Sequence, residues 1–294
     1  MTRHVVCLTF DFDVMTGFIA RGMTTPTPIS RGEFGLVGLA RILDLLNGHA
    51  IRSTFFVPGV VIEMFPDACE RIVSGGHEIG HHGYTHVPPA SLSREREEEG
   101  LVKGNAAITR VTGKAARGYR SPSWDLSPHT IELLLAHGFV YESSMMGNDY
   151  TPYYARKGDE IRLEEPCVWG TPTGLIEMPI SWTLDDYPHF EFVRTPSYVM
   201  QGLMNAHDVL QNWIDDFLYM QRIVDWGVLT YTMHPYVIGR GHRMLMLERL
   251  ILRLGELGAV FLTMEEAAGE FGRRGTSLKG GASSTASPRM QDDN

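Results

Sequence analysis

The sequence predicts an α/β domain built as a closed or nearly closed barrel of about seven strand–helix units. Three observations carry that expectation. Short apolar, β-rich runs alternate with longer segments of helical periodicity along most of the chain, the pattern of parallel strands joined by helical crossovers. The length, 294 residues, suits one barrel-type α/β domain. Ionisable residues recur just after the apolar runs, where a parallel barrel gathers its functional groups. An open doubly wound sheet is the alternative topology.

The elements follow in order. Residues 4–10 (HVVCLTF) read as a buried strand that stops at Asp11. Residues 14–32 carry Gly, Thr and Pro and read as a long loop. Residues 33–46 place Leu36, Leu39, Ala40, Leu43 and Leu46 on one helical face. STFFVPG (53–59) is the second strand, 60–74 a helix, and HEIG (77–80) a short strand. Residues 91–111 form a charged helix, with Ser91 or Ser93 as N-cap and Glu95 in its first turn. Further strands are expected at 116–119, 138–143, 175–181, 227–235 and 259–263. Helices are expected at 127–137, 199–224, 242–254 and 264–271, and residues 145–174 read as mostly loop. No repeat of fixed period occurs. Residues 1–272 make a single domain; 273–294, rich in Ser and Gly, read as a disordered tail.

Composition narrows the function classes. The net charge of −9 argues against a nucleic-acid backbone or an anionic membrane as partner. Cys7, Cys69 and Cys167 are odd in number and widely spaced, which suits reduced thiols rather than a disulfide framework. The first residues, MTRHVVCLTFDFD, hold too short an apolar run for a signal peptide. A cytoplasmic protein is the expectation. The oligomeric state is open, with a homo-oligomer possible through a face such as 214–220.

The polar residues fall in five places, each beyond an apolar run. Asp11 and Asp13 follow VVCLTF, His82 and His86 follow HEIG, and Arg120 follows GY. Asp185 and Asp186 follow LIEMPISW, and His234 ends LTYTM. Each has a plain structural explanation: a hydrated turn, a core imidazole, a surface cation. Their convergence on one rim of the expected barrel outweighs those explanations. The stretch GHEIGHHGYTH (76–86) holds four of the chain's 12 histidines. His82 and His86 are four apart, a common metal-ligand spacing. The zinc-protease pattern fails, because Gly83 stands where its glutamate would be. A third ligand is needed for a catalytic metal, and an Asp at the end of the first strand can supply it. Asp11 and Asp13 are two apart, so on extended backbone they point the same way. Two adjacent carboxylates repel unless a cation intervenes.

The set LTFDFD, GHEIGHHGYTH, YRSPSW, ISWTLDDYP and LTYTMHP, in this order over residues 8–235, resembles the polysaccharide deacetylase (NodB-homology) family. DFD, SRGEFG, STFFVPG, GNDYTPYYAR and WTLDDYP look like its cytoplasmic branch, which includes a peptidoglycan-deacetylase-like enzyme, cofactor-independent allantoinase and cyclic imide hydrolases. The resemblance implies a distorted (β/α) barrel. It implies Asp11 as general base and Asp13, His82 and His86 as ligands of a divalent metal. Arg120 would orient the base, and His234 would be the general acid, tuned by Asp185 or Asp186. Two departures stand out: Phe12 separates the aspartates, and His81 stands beside His82 as a conceivable swapped ligand.

The implied chemistry is hydrolysis of a carbon–nitrogen amide bond by water activated at a metal, zinc fitting two histidines and one aspartate. The expected loops at 14–32 and 145–174 carry Phe18, Tyr150, Tyr153, Tyr154 and Trp169. An aromatic roof of this kind suits a small linear or cyclic amide or imide, with Phe18, Trp124 and Tyr150 as candidate substrate contacts. Polysaccharide or peptidoglycan N-deacetylation is the alternative. A metal-free hydrolase on the same scaffold and a non-catalytic carbohydrate-binding protein are further rivals.

Overall fold

The computed structural model describes residues 2–194 and 198–278. Its elements in chain order are β1 (Arg3–Asp11), α1 (Thr16–Ala20), α2 (Pro26–Gly48), β2 (Thr54–Val57), α3 (Gly59–Met64), α4 (Pro66–Ser74), β3 (Glu78–His81) and α5 (Arg94–Thr112). There follow β4 (Gly118–Tyr119), α6 (Thr130–Ala136), β5 (Tyr141–Glu142), β6 (Tyr153–Lys157), β7 (Thr171–Glu177), α7 (Asp186–Phe190), β8 (Val193–Arg194) and β9 (Val199–Met200). The last are α8 (Ala206–Ile223), β10 (Trp226–Met233), α9 (Pro235–Ile238), α10 (Gly241–Glu256), β11 (Val260–Phe261) and α11 (Met264–Leu278).

Among the described residues nine strands form one curled sheet, with path β10-β1-β2-β3-β4-β5-β7-β6. All neighbours are parallel except the β6–β7 pair. One edge of β1 runs along β10 for eight residue pairs. Its other edge is shared: β11 takes Val5 and Val6, and β2 takes Thr9 to Asp11. The curl nearly closes. Asp185 makes an isolated parallel bridge to Thr232 on β10, and the Val228 N–H donates to the Tyr150 carbonyl at 2.9 Å. This is a distorted barrel with helices outside, and β4, β5 and β11 are only two residues long.

Strand parity divides the interior into a dry half and a polar half. Val6, Leu8, Phe10 and Phe12 on β1 and just after it join the large core shared with the outer helices. Val5 and Cys7 point the other way, into a second cluster with Phe56, Tyr141, Met178, Trp226 and Val228. Met264, Ala267 and Ala268 of α11 close that cluster from below. Residues 9, 11 and 13 continue on the same side as Val5 and Cys7, because successive side chains on a strand alternate. The interior therefore turns from apolar to ionisable along a single strand face. The same holds on β10, where Trp226 and Val228 give way to Thr230, Thr232 and then His234.

Several sequence expectations need correcting. The 14–32 loop contains α1 and the first turn and a half of α2, whose start carries Pro26 at its first positions. Hydrophobic periodicity missed this part because the buried face of α2 begins with Pro28 and then Gly32, Gly35 and Gly38. A Cβ on Gly32 would lie 2.4 Å from Met15 Cα, and one on Gly38 would lie 1.9 Å from the Pro235 carbonyl oxygen. Bare glycine is what lets α2 press onto the loops after β1 and β10. The 145–174 loop contains β6 and the start of β7, paired antiparallel. The 199–224 helix starts only at Ala206, where the Asn205 side chain accepts from His207 N–H; residues 199–200 pair instead with β8. The last helix runs to Leu278 rather than ending at 271, so 273–278 are helix. The rest of the expected tail, 279–294, lies outside the described residues. Ser93, not Ser91, caps α5.

Gly38→Ala forces the Pro235 backbone to move and is expected to cost roughly 1–3 kcal/mol, as overpacking does. Gly48→Ala, with nothing within 4 Å of the added carbon, is expected to be neutral or stabilising by up to about 1 kcal/mol. Urea melts of the two variants check the contrast; equal effects would contradict the packing argument.

Candidate active site

At the polar end of β1, period two aims Thr9, Asp11 and Asp13 into the barrel mouth. Arg120, just beyond β4, reaches them with a fully buried side chain. Its Nη1 donates to Asp11 Oδ1 at 2.9 Å and to Thr9 Oγ1 at 2.8 Å. Its Nε donates to the Ser143 carbonyl and its Nη2 to Ser143 Oγ, both at 3.1 Å. The guanidinium lies 4.2 Å from the Phe56 ring centroid. Each of the three nitrogens of this buried cation is engaged, by four hydrogen bonds in all, as burial of a charge requires.

The same residue orients the first histidine. His82 Nδ1 lies 2.8 Å from the Arg120 carbonyl oxygen. A carbonyl only accepts, so Nδ1 carries the proton and Nε2 offers a lone pair. That Nε2 faces Asp13 Oδ1 at 3.4 Å, and His86 Nε2 faces Asp13 Oδ2 at 3.1 Å. Asp13 Oδ1 is buried and has no hydrogen-bond partner among the described residues. A lone-pair nitrogen and an orphaned carboxylate oxygen in such proximity call for a cation between them. Ligand atoms of Asp13, His82 and His86 all lie within 4.8 Å of one another, and a backbone carbonyl behind a histidine is a usual support for a metal ligand. The donor set of two nitrogens and one carboxylate fits a divalent first-row metal. Burial works against charge on Asp13, yet the His86 and His82 imidazoles and His234 hold its carboxyl well below the usual range. His86 sits at φ 62°, a left-handed conformation that costs energy in a non-glycine residue.

Opposite this group, His234 follows β10. Its Nδ1 donates to Asp186 Oδ1 at 2.7 Å, and its backbone N–H also donates to the Asp186 carboxylate. Asp185 lies farther off, at 3.5 Å from Nδ1, and instead accepts from Tyr187 N–H at the start of α7. Burial opposes a charge on His234, but Asp185 and Asp186 overcome it and raise the imidazole to about 10. Burial pushes Asp185 up to about 7, and raises Asp186 as well. His234 Nε2 remains directed at the centre, 3.9 Å from Asp13 Oδ2.

Asp11, Asp13, His82, His86, Asp185 and His234 line one cavity of about 90 Å³, shared with Trp124, Trp182, Tyr187 and Tyr236, while Arg120 and Asp186 stand behind them. Trp124 and Trp182 stack at 4.1 Å and 28°. Trp124 is presented by a loop in which Ser123 and Trp124 both have positive φ. The mouth opens to solvent beside Ser123, Arg21 and Trp182.

The polysaccharide deacetylase family profile matches residues 1–141. A peptidoglycan deacetylase of Helicobacter pylori is 39% identical over 278 residues, spanning 90% of this chain and 94% of that protein. The chain belongs to the polysaccharide deacetylase family. The deacetylases of this family are hydrolases of carbon–nitrogen amide bonds. A solved chain from Mycobacterium smegmatis, assigned as a polysaccharide deacetylase, has a TM-score of 0.81 at 27% identity and is matched over 100% of this chain and 95% of its own. The Puue allantoinase shares the fold, with a TM-score of 0.75 at 19% identity, over 91% of this chain and 89% of its own.

Within this deacetylase fold the five sequence segments meet as one constellation: Asp11, Asp13, His82, His86, Arg120, Asp185, Asp186 and His234 are all buried around the cavity. Two expected substrate contacts are not there. Tyr150 is buried at the barrel seam, where its hydroxyl donates to Asp216 on α8. Phe18 is buried behind Gly17, packed on Tyr236 at 5.5 Å. Trp124 does line the cavity. The expected aromatic roof fails for a topological reason. β6 runs antiparallel to β7, so residues 158–170, with Trp169, hang at the end of the barrel opposite the site. Trp182, Tyr187, Tyr236 and Arg21 were missed as walls; only the WTLDDYP segment hinted at two of them. His81 faces away. Its Nε2 bonds the Leu101 carbonyl at 3.1 Å, its Nδ1 accepts from Gly83 N–H, and burial pushes it down to about 4. It is a support of the ligand loop and not a spare ligand. His77 Nδ1 likewise accepts from Ser53 N–H. No helix among the described residues is long and apolar enough to cross a membrane.

The His234 pKa yields a direct test. A folded-state value near 10 against an ordinary 6.5 means the charged imidazole adds stability in full below about pH 6.5, lost as pH rises through 10. Asp186→Asn removes a negative partner and is expected to bring His234 down toward the neutral range, read by NMR titration of the imidazole. A value left near 10 in that variant would refute the assignment of Asp186 as its main partner.

Proposed function

We propose that this chain is a metal-dependent N-deacetylase of an amino-sugar polymer, with peptidoglycan glycan as the substrate class. The observation that carries the reading is the near full-length similarity to a peptidoglycan deacetylase, joined to a site with a complete set of acid, base and ligand side chains. The open mouth and the stacked Trp124–Trp182 wall support a sugar substrate, since flat aromatic faces pack on sugar rings and an unroofed cleft admits a chain. This reverses the order suggested by the sequence, which placed a small cyclic amide first on the strength of the roof.

The roles follow from the geometry. Asp13, His82 and His86 hold a divalent cation, zinc being the best match to two imidazoles and a carboxylate. When bound, such a cation polarises the amide carbonyl and makes water a better nucleophile at neutral pH. Asp11 is the general base: Arg120 takes Oδ1 and leaves Oδ2 to receive the proton of the attacking water. His234 is the general acid. Its Nδ1 is tied to Asp186, so Nε2 gives its proton to the departing nitrogen. The raised pKa keeps that proton in place at neutral pH. Trp124 and Trp182 position the ring that bears the acetamido group.

His82→Ala is expected to lose both bound metal, measured by elemental analysis, and turnover. Asp11→Asn is expected to keep its metal while turnover falls about 10²- to 10⁴-fold, the usual worth of a general base. The substrate panel comprises N-acetylglucosamine oligomers, peptidoglycan glycan strands, cyclic imides and ureides, assayed with zinc-loaded protein. Release of acetate from the glycans is expected. Turnover of imides or ureides alone would overturn the substrate reading, and full activity of His82→Ala would overturn the metal mechanism.

A further inference from the structure

Beside the active site lies a second cavity that the deacetylation chemistry does not use. It has a volume of about 420 Å³ and is lined by Arg31, Glu191, Tyr236, Arg240, His242 and Arg243 among others. The two cavities share a wall, because Tyr236 lines both and its ring lies 5.9 Å from that of His234. They also share an element. Asp186, the partner of His234, starts α7, and Phe190 ends it against the second cavity.

The charge there is lopsided. Three arginines and a histidine face one carboxylate, in a protein whose net charge is −9. Glu191 is already taken by Arg31, which also donates to the Phe192 carbonyl at 2.8 Å. Arg240 has no carboxylate partner among the described residues; its guanidinium lies 3.5 Å from the Phe34 ring centroid. Burial, Arg31 and Arg41 all work to lower the pKa of Arg240, the mark of cations gathered without a counter-charge. Arg243 is only 7% exposed. Its Nη1 and Nη2 donate to the Val237 and Phe190 carbonyls, but its buried Nε has no acceptor among the described residues. An unpaired buried donor is costly and marks a place where a missing partner belongs. The cavity also borders the start of α10, which has no side-chain cap and no acidic residue in its first turn. The partial positive charge of a helix start adds to that of the arginines.

We infer that this cavity is an anion subsite that receives a carboxylate of the substrate flanking the scissile acetamido group. A guanidinium fork matches a carboxylate in shape and charge, and the shared Tyr236 wall sets the anion beside the reacting sugar. The inference rests on the proposed deacetylation of peptidoglycan glycan. In that polymer every second sugar carries a lactyl ether whose carboxylate is free when the peptide is absent. Neutral amino-sugar polymers have no such group.

The test compares two peptide-free glycan tetrasaccharides, one with its lactyl carboxylates intact and one with them reduced to alcohols. Zinc-loaded wild-type protein is expected to show kcat/KM about tenfold higher on the carboxylate form, the size of one charge-assisted hydrogen bond. In Arg240→Gln, an exposed position, that ratio is expected to collapse to about one. Binding of both glycans is measured separately by calorimetry, with the same preference expected in Kd. Equal kcat/KM for the two glycans in wild type, or a ratio unchanged in Arg240→Gln, overturns the subsite. If carboxylate-dependent binding is present without acetate release, the subsite stands and the deacetylase reading fails. If acetate is released with no carboxylate dependence, the deacetylase reading stands and the subsite fails. Inorganic phosphate that inhibits wild type but not Arg240→Gln, with the two glycans turned over alike, would assign the cavity to free phosphate and overturn the substrate contact.

Discussion

A single buried cation ties the active site together. Arg120 leaves water completely, and such a charge is tolerated only if its donors are all met. The acceptors that meet them come from β1, through Thr9 and Asp11, and from the residue after β5, through Ser143. Ser143 Oγ in turn donates to the Met178 carbonyl beyond β7. The backbone carbonyl of the same arginine then sets the tautomer of His82. One residue thus fixes the spacing of three strands, the orientation of the Asp11 carboxylate and the lone pair of His82. Taking away one partner of a buried pair like Arg120–Asp11 typically costs 3–5 kcal/mol, so the position couples folding to catalysis.

Around that anchor, environment alone separates carboxylates that are chemically alike. Asp13 looks onto two imidazole nitrogens and is held ionised. Asp185 and Asp186 are buried side by side, and burial raises both, while together they hold a proton on His234. The site therefore carries an electron-rich side suited to a cation and a protonated side suited to a leaving group, about 4 Å apart at the His234–Asp13 contact. Pairs of groups pushed in opposite directions mark the acid and base assignments in many hydrolases. The choice between Asp185 and Asp186 falls out of the same geometry. Asp186 makes two kinds of contact with His234, whereas Asp185 spends its acceptor on the start of α7.

The parts of this arrangement legible in the sequence are those that follow from strand parity. DFD at a strand end, a histidine pair after HEIG and a lone histidine after LTYTM each place ionisable groups at the end of an apolar run, and the fold brings all of them to one rim. What the sequence concealed depends on tertiary packing. The glycine face of α2 carries no hydrophobic signal, since its contact is backbone against backbone. The reversed direction of β6 cannot be read from composition, and it carried Trp169 of the presumed roof to the wrong end. Tyr150 and Phe18 are large and aromatic, and burial served stability in both. Trp182 and Tyr187 were available in the WTLDDYP motif but had no periodicity to single them out.

The barrel is weakest where its chemistry is richest. Between the two edge strands, β6 and β10, the described residues form no continuous ladder, only the Asp185–Thr232 bridge and the Val228–Tyr150 hydrogen bond. The chain from Ser181 to Phe192 crosses this seam instead of pairing along it. A continuous strand would alternate its side chains and could not deliver Trp182 to the cleft, Asp185 and Asp186 to His234, and Glu191 to Arg31 within eleven residues. Short helical turns can, because each reorients the backbone. The incomplete closure of the barrel therefore lets one short segment contribute both to the His234 side of the site and to the neighbouring cationic cavity, with Tyr236 as the wall they share.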